Sequence, residues 1–156
     1  MGTRDFQFQN FDLLTNGEIS LVIDKKIPAD ETKGYVPAYS FHIRLSECDQ
    51  NIGHISIRIG NNENLYYGGH IGYGIIEQFR GHSYASKACR LIMQVAEAHG
   101  LEPVTITCNP ANTASRRTCE KIGAELLEIV KLPPHNDLYQ SGEREACRYV
   151  WEKEKK

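Results

Sequence analysis

Arg80, Gly81, His82, Ser83, Tyr84 and Ala85 form a short basic turn between an apolar run, "GYGII" at 72–76, and a long stretch of helical periodicity. Two kinds of chemistry fit such a turn. A serine at the tip of a sharp strand-to-helix turn acts as an acyl nucleophile when an acid and a histidine follow to activate it. A helix start offers something else: N–H groups without intrahelical partners, with about half a positive charge from the macrodipole, to which a diphosphate can bind. In that reading Arg80 adds a charge-assisted contact, Gly81 permits a positive φ, and the small Ala85 lets a ligand lie against the helix. The nucleophile reading, a serine hydrolase built on Ser83, fits poorly on spacing. Glu77, Gln78, Phe79 and Arg80 stand between the apolar run and Ser83, and the only histidines beyond the turn are His99 and His135.

The elements that would position this turn follow from periodicity. "GEISLVIDKK", "YSFHIRL" and "NIGHISIRIG" alternate and read as strands, "NNEN" reads as a turn between antiparallel neighbours, and "LYYGGHIGYGII" at 65–76 reads as one further strand. The first half is therefore predicted to be a meander. From Ser83 to His99 apolar residues recur at three- and four-residue steps, with Gly100 placed as a C-terminal cap. "PVTITC" has strand composition, Asn112 caps a helix over "TASRRTCEKIG" that Gly123 stops, and "AELLEIVKL" and "EACRYVWEKE" close the chain as strands around a "PPHNDLYQSGE" loop. The class is α/β: a mixed, mostly antiparallel central sheet flanked by helices, in one domain over 1–156.

Composition limits what such a domain does. At 156 residues with 40% hydrophobic side chains the chain suffices for a single core, and a net charge of −2 gives no broad basic face for nucleic acid. No apolar run reaches membrane-spanning length, the start "MGTRDFQFQN" lacks a signal-peptide pattern, and Phe6 breaks a myristoylation signal at Gly2, so a cytoplasmic protein is expected. Five scattered cysteines and six histidines show no metal-ligand spacing, so no metal and no disulfide framework are expected.

The turn at 80–85 together with "NPANTASRRTCEKIGAELLE" at 109–128 resembles the GNAT superfamily of acetyl-CoA-dependent N-acetyltransferases. The first matches that family's diphosphate loop, Arg/Gln-x-x-Gly-x-Gly/Ala. The second matches its Asn-x-x-Ser motif before a helix ending in Gly, through Asn112, Ser115 and Gly123. The likeness is strongest to the branch that contains ribosomal-protein N-terminal acetyltransferases, and it covers the chain from Gly72 onward.

The resemblance implies acetyl-CoA as co-substrate, held by the backbone of Tyr73, Gly74 and Ile75 along the pantetheine arm and by residues 80–85 at the diphosphate. A primary amine would attack the thioester directly, the amine being a peptide or protein N-terminus or a small molecule. Ser115 would lie near the coenzyme sulfur as donor or proton source. Cys119, one helical turn on, stands where many members carry a tyrosine acid, and its thiol is either a proton donor or a packed core group. Glu77 is either a general base or a solvated carboxylate. Asn109 and Asn112 either contact pantetheine or end a strand and cap a helix. His70 reads most simply as a packed histidine, and Tyr139 is a weaker acid candidate. The chain departs from the family at Ser83, where the loop has its first glycine, and in its leading segment, which lacks the two helices common after the first strand. Ser83 and the missing tyrosine at Cys119 suggest a second reading, a coenzyme-binding sensor without turnover. A homodimer is compatible with the sequence, which does not fix the oligomeric state.

Overall fold

The computed structural model describes residues 6–12 and 14–153. Five strands form one antiparallel sheet in chain order: β1 (Leu14–Thr15), β2 (Ile19–Ile27), β3 (Ala38–Leu45), β4 (Asn51–Arg58) and β5 (Ile71–Ile75). This is the predicted meander, with the two-residue β1 added in front of it. A second antiparallel sheet holds β6 (Val104–Cys108), β7 (Glu125–Lys131) and β8 (Glu145–Trp151) in the order β6-β8-β7. Helices α2 (Tyr84–Ala98) and α3 (Thr113–Lys121) follow β5 and β6. This is the expected α/β architecture of antiparallel strands flanked by helices. Glu154, the predicted last residue of the final strand, lies outside the described residues, as do Met1 to Asp5, and with them Gly2.

Alternation builds the core. Ile19 and Leu21 on β2, Phe41 and Ile43 on β3, and Ile55 and Ile57 on β4 are all buried on one face of the meander. Against that face α2 lays Ala88, Cys89, Ile92, Val95 and Ala96, residues at three- and four-step spacing that are almost completely buried. Asn112 caps α3 through its side chain, which accepts from the Ser115 N–H at 3.1 Å, and Gly123 beyond it has φ +87.

Two parts differ from the sequence reading. Residues 65–76 are not one strand: α1 (Glu63–Gly68) takes the first part, and β5 begins only at Ile71. The reason is capping. Asn62 Oδ1 accepts from the Leu65 N–H at 3.1 Å, and Gly69 at φ +78 ends the helix, so "NNEN" starts a helix instead of a tight hairpin turn. Likewise the loop before β8 holds a short helix, α4 (Asp137–Gln140), capped by Asn136 Oδ1 on the Leu138 N–H at 2.9 Å. Between β1 and β4 the described residues contain no helix, as the leading segment implied. No helix among them is long and apolar enough to cross a membrane.

Candidate active site

His70, the residue before β5, is bonded to Thr105 near the beginning of β6. The His70 N–H donates to the Thr105 carbonyl at 2.7 Å, and the Thr105 N–H donates back to His70 Nδ1 at 2.9 Å. An imidazole nitrogen that accepts carries no proton, so the proton sits on Nε2, which faces the Gly60 carbonyl at 2.9 Å and Asn61 Oδ1 at 3.1 Å. His70 is buried, and burial, aided by the Arg58 charge, holds its pKa below the ordinary value. It is a neutral clamp across the join between the sheets.

Beyond that clamp the strands part around a cavity of about 640 Å³. Ile71, Gly72 and Tyr73 line one wall, Thr107, Cys108 and Asn109 another, with Asn112 and Ser115 below them. The antiparallel ladder decides which backbone groups face the gap. Bonds from the Arg58 N–H to the His70 carbonyl and from the Ile76 N–H to the Ile52 carbonyl, both 2.8 Å, put the β4-bonded positions at even residues. The N–H and C=O groups of Ile71, Tyr73 and Ile75 therefore point away from β4. Gly74 is turned towards it, and a Cβ there would stand 2.8 Å from the His54 ring.

On the cavity floor the Tyr73 hydroxyl donates to Ser115 Oγ at 3.2 Å. Because Ser115 Oγ accepts from Tyr73, its own hydroxyl hydrogen is left for another acceptor. Burial pushes the Tyr73 pKa up to about 12, against a smaller lowering by Ser115, so the phenol stays protonated and remains a donor. Sequence reasoning assigned Tyr73 through its backbone and missed its hydroxyl. The pairing depends on β5 and α3 meeting in space, which no local pattern signals.

The other predicted residues fall as follows. Cys119 is fully buried in the core and not on the cavity wall, and burial pushes its thiol up to about 12. Glu77 is exposed in a 3-10 turn, Glu77–Phe79, outside the cavity. Asn109 and Asn112 line the cavity and also hold backbone: Asn109 Oδ1 accepts from the Ala111 N–H at 2.8 Å. Tyr139 lies on α4 under the Arg144 guanidinium, 3.9 Å from its ring centre, and not on the cavity wall. The carboxylates that do reach the wall are Asp137 and Glu143, with Glu143 Oε1 3.5 Å from Asn109 Nδ2.

The turn 80–85 stands at the far end of β5, joined to it by Arg80 Nε, which donates to the Ile75 carbonyl at 2.9 Å. Gly81 has φ +92 with open space around a would-be Cβ, so backbone conformation and not crowding favours glycine. Ser83, the residue before α2, has φ +63 and ψ +23, the left-handed region. That conformation takes its side chain off the capping path: it makes no cap bond, and its Oγ instead accepts from Lys121 Nζ at 2.6 Å. The helix start is thus left without the side-chain cap that a serine ordinarily supplies, and a lysine stands beside it. His82, exposed, lies against the Tyr84 ring with centroids 5.4 Å apart, and Ala85 is half-buried behind them.

An uncapped, positively polarised helix start at one end of a strand and a split sheet with outward backbone groups along it suit a ligand that is anionic at one end and extended at the other. Acetyl-CoA is such a molecule. The model of the acetyltransferase (GNAT) domain family matches residues 10–125, and the chain belongs to that family. No curated protein sequence matches it significantly. Among solved structures it is similar to a GNAT-family acetyltransferase from Bacillus anthracis, at 24% identity and a TM-score of 0.60, over 74% of this chain and 67% of that one. A ribosomal-protein-S5-alanine acetyltransferase from Vibrio fischeri is similar at 18% identity and 0.59, over 74% and 61%. RimL, a ribosomal L7/L12 N-acetyltransferase solved with coenzyme A, is similar at 20% identity and 0.58, over 78% and 64%. The chain thus spans about two-thirds or less of the length of these structures, and at such identities the likeness is one of fold.

Proposed function

We propose that the protein transfers an acetyl group from acetyl-CoA to a primary amine in the cytoplasm, as a single domain and with no metal taking part. The observation that carries this reading is the uncapped start of α2, set by the left-handed Ser83, at the far end of β5, the end towards which the sheet splits from its His70 clamp. Open first-turn amides of α2, with Arg80 and Lys121, would hold the diphosphate. The gap-facing backbone of Tyr73 and Ile75 would run along the pantetheine arm, with Asn109 and Asn112 beside it. Acetyl-CoA supplies the activated acyl group, and the chain supplies orientation, a donor and a proton acceptor.

The amine lone pair forms the C–N bond as the C–S bond breaks and the coenzyme leaves as thiolate. Ser115 donates its hydroxyl hydrogen to that sulfur, and the Tyr73 hydroxyl, bonded to Ser115 Oγ, polarises it. Glu143, on the cavity wall, takes the proton-accepting part better than the outlying Glu77. Deprotonating an α-amine of pKa near 8 at neutral pH costs about 1 kcal/mol, against roughly 4 to 5 for a lysine-like amine. A peptide or protein N-terminus is therefore favoured over a lysine side chain, in keeping with RimL, an alpha-N-protein acetyltransferase, among the similar folds.

The test is thiol release from acetyl-CoA over a panel of short peptides, lysine analogues and aminoglycosides. Release with α-amines, at a rate that rises with pH towards 8, is the expected result. Coenzyme binding without release from any amine would mean a sensor, and no binding would reject both readings.

A further inference from the structure

Arg58 ends β4 beside the cavity. Its side chain is half-buried, yet among the described residues no carboxylate stands within ion-pair distance of it. Among the described residues the one hydrogen bond of its guanidinium runs from a terminal nitrogen to the Gly69 carbonyl at 3.2 Å. Burial lowers its pKa, against a smaller raising by the nearby Tyr35 phenol. A guanidinium carries five N–H donors, and the described residues contain no sealed-off side-chain nitrogen without a partner, so the nitrogens of Arg58 that lack one keep contact with solvent, on a residue that lines the cavity. A partly desolvated cation kept without a counter-charge is costly unless a ligand brings the anion. On the same cavity wall Asp137 and Glu143 supply the opposite sign.

We propose that Arg58 docks an oxyanion carried by the acetyl acceptor, so that the acceptor is a primary amine with a carboxylate set several bonds away from its amino group. This rests on the acetyl-transfer reading above. Arg58 stands opposite His70 in the ladder, three positions, about 10 Å along the strand, from Tyr73. An acidic side chain or a short peptide's terminal carboxylate suits that separation better than the α-carboxylate of a free amino acid. A phosphate monoester would meet the same fork. The monovalent carboxylate is favoured because Asp137 and Glu143 repel a dianion more strongly.

The experiment compares peptide amides that differ only in Glu, Gln or phosphoserine at their first or second residue. Thiol release gives kcat/KM, and calorimetry gives affinity for the protein with and without coenzyme A. For the wild type, Glu over Gln by roughly 10- to 100-fold is expected, the scale of a charge-assisted fork. In Arg58→Gln the ratio should fall to near one with acetyl-CoA affinity unchanged, and Arg58→Lys should keep part of it. Preference for phosphoserine would keep the oxyanion site and change its source. Equal handling of Glu and Gln by the wild type, or an unchanged ratio in Arg58→Gln, overturns the proposal. A purely structural Arg58 would lower thermal stability and leave the ratio alone. If acetyl-CoA does not bind, the acetyl-transfer reading fails by itself, and the Glu/Gln affinity ratio on the free protein still decides for or against Arg58. The wild-type comparison stands even if Arg58→Gln does not fold.

Discussion

Two hydroxyls from different elements make the donor at the cavity floor, and their roles separate by distance from the sulfur. Ser115 would touch the departing thiolate, while Tyr73 acts through Ser115. Losing the direct donor should cost more: Ser115→Ala is expected to lower kcat roughly 100-fold and Tyr73→Phe roughly 10-fold. Acetyl-CoA affinity should stay within about twofold in both, since uniform binding is untouched. Steady-state kinetics with calorimetric affinities checks this, and a Tyr73→Phe enzyme with unchanged kcat would remove the phenol from the account. Since the Tyr73 pKa is pushed up to about 12, the phenol does not titrate in the assay range, and the pH profile should show the amine and the base but no phenol limb. Ser83 makes a separate point at this scale. Its left-handed backbone costs an L-residue about 1 to 2 kcal/mol over glycine. The same geometry aims its hydroxyl at Lys121 and leaves the helix start uncapped.

Among the elements, β5 carries the design, and its head is held by His70. Accepting from the Thr105 N–H requires a neutral ring, and burial depresses the folded-state pKa. The folded form then binds fewer protons than the unfolded chain below the ordinary histidine pKa near 6.5. The stabilisation is full above that pH and is lost as pH falls through the folded pKa. His99, also depressed by burial, acts in the same direction. Thermal melts should show the midpoint falling from pH 6.5 to 5, with a shallower fall in His70→Gln. A midpoint flat over that range would contradict the clamp. What was legible in the sequence tracks how local each cause is. The meander, α2 and the Asn112 cap follow from alternation, three-four spacing and an adjacent side chain. The short helix α1 was missed because "LYYG" has the apolar content of a strand, and one Asn62 bond with one left-handed glycine decides otherwise. The turn at 80–85 is marked by its glycine and the helix after it, and Ser115 by the resemblance of its motif to the family's. Arg58, Glu143 and the Tyr73 hydroxyl do not, because only the meeting of β4, β5, α3 and the loop before β8 places them on one cavity.

Over the whole molecule, the two sheets and α2 form one device: a sheet split past its clamp, with a cationic helix start at one end of β5 and a hydroxyl pair beside the opening. One extended ligand must then use the start of α2 and the gap-facing backbone of β5 at once. An amide-resolved NMR titration with acetyl-CoA tests that requirement directly. The largest shifts are predicted at the amides of Gly81, Ser83, Tyr84 and Ala85 and, in the same titration, at Tyr73 and Ile75, whose backbone faces the gap. Saturable binding that leaves the 81–85 amides unmoved, or moves them without Tyr73 and Ile75, would contradict it.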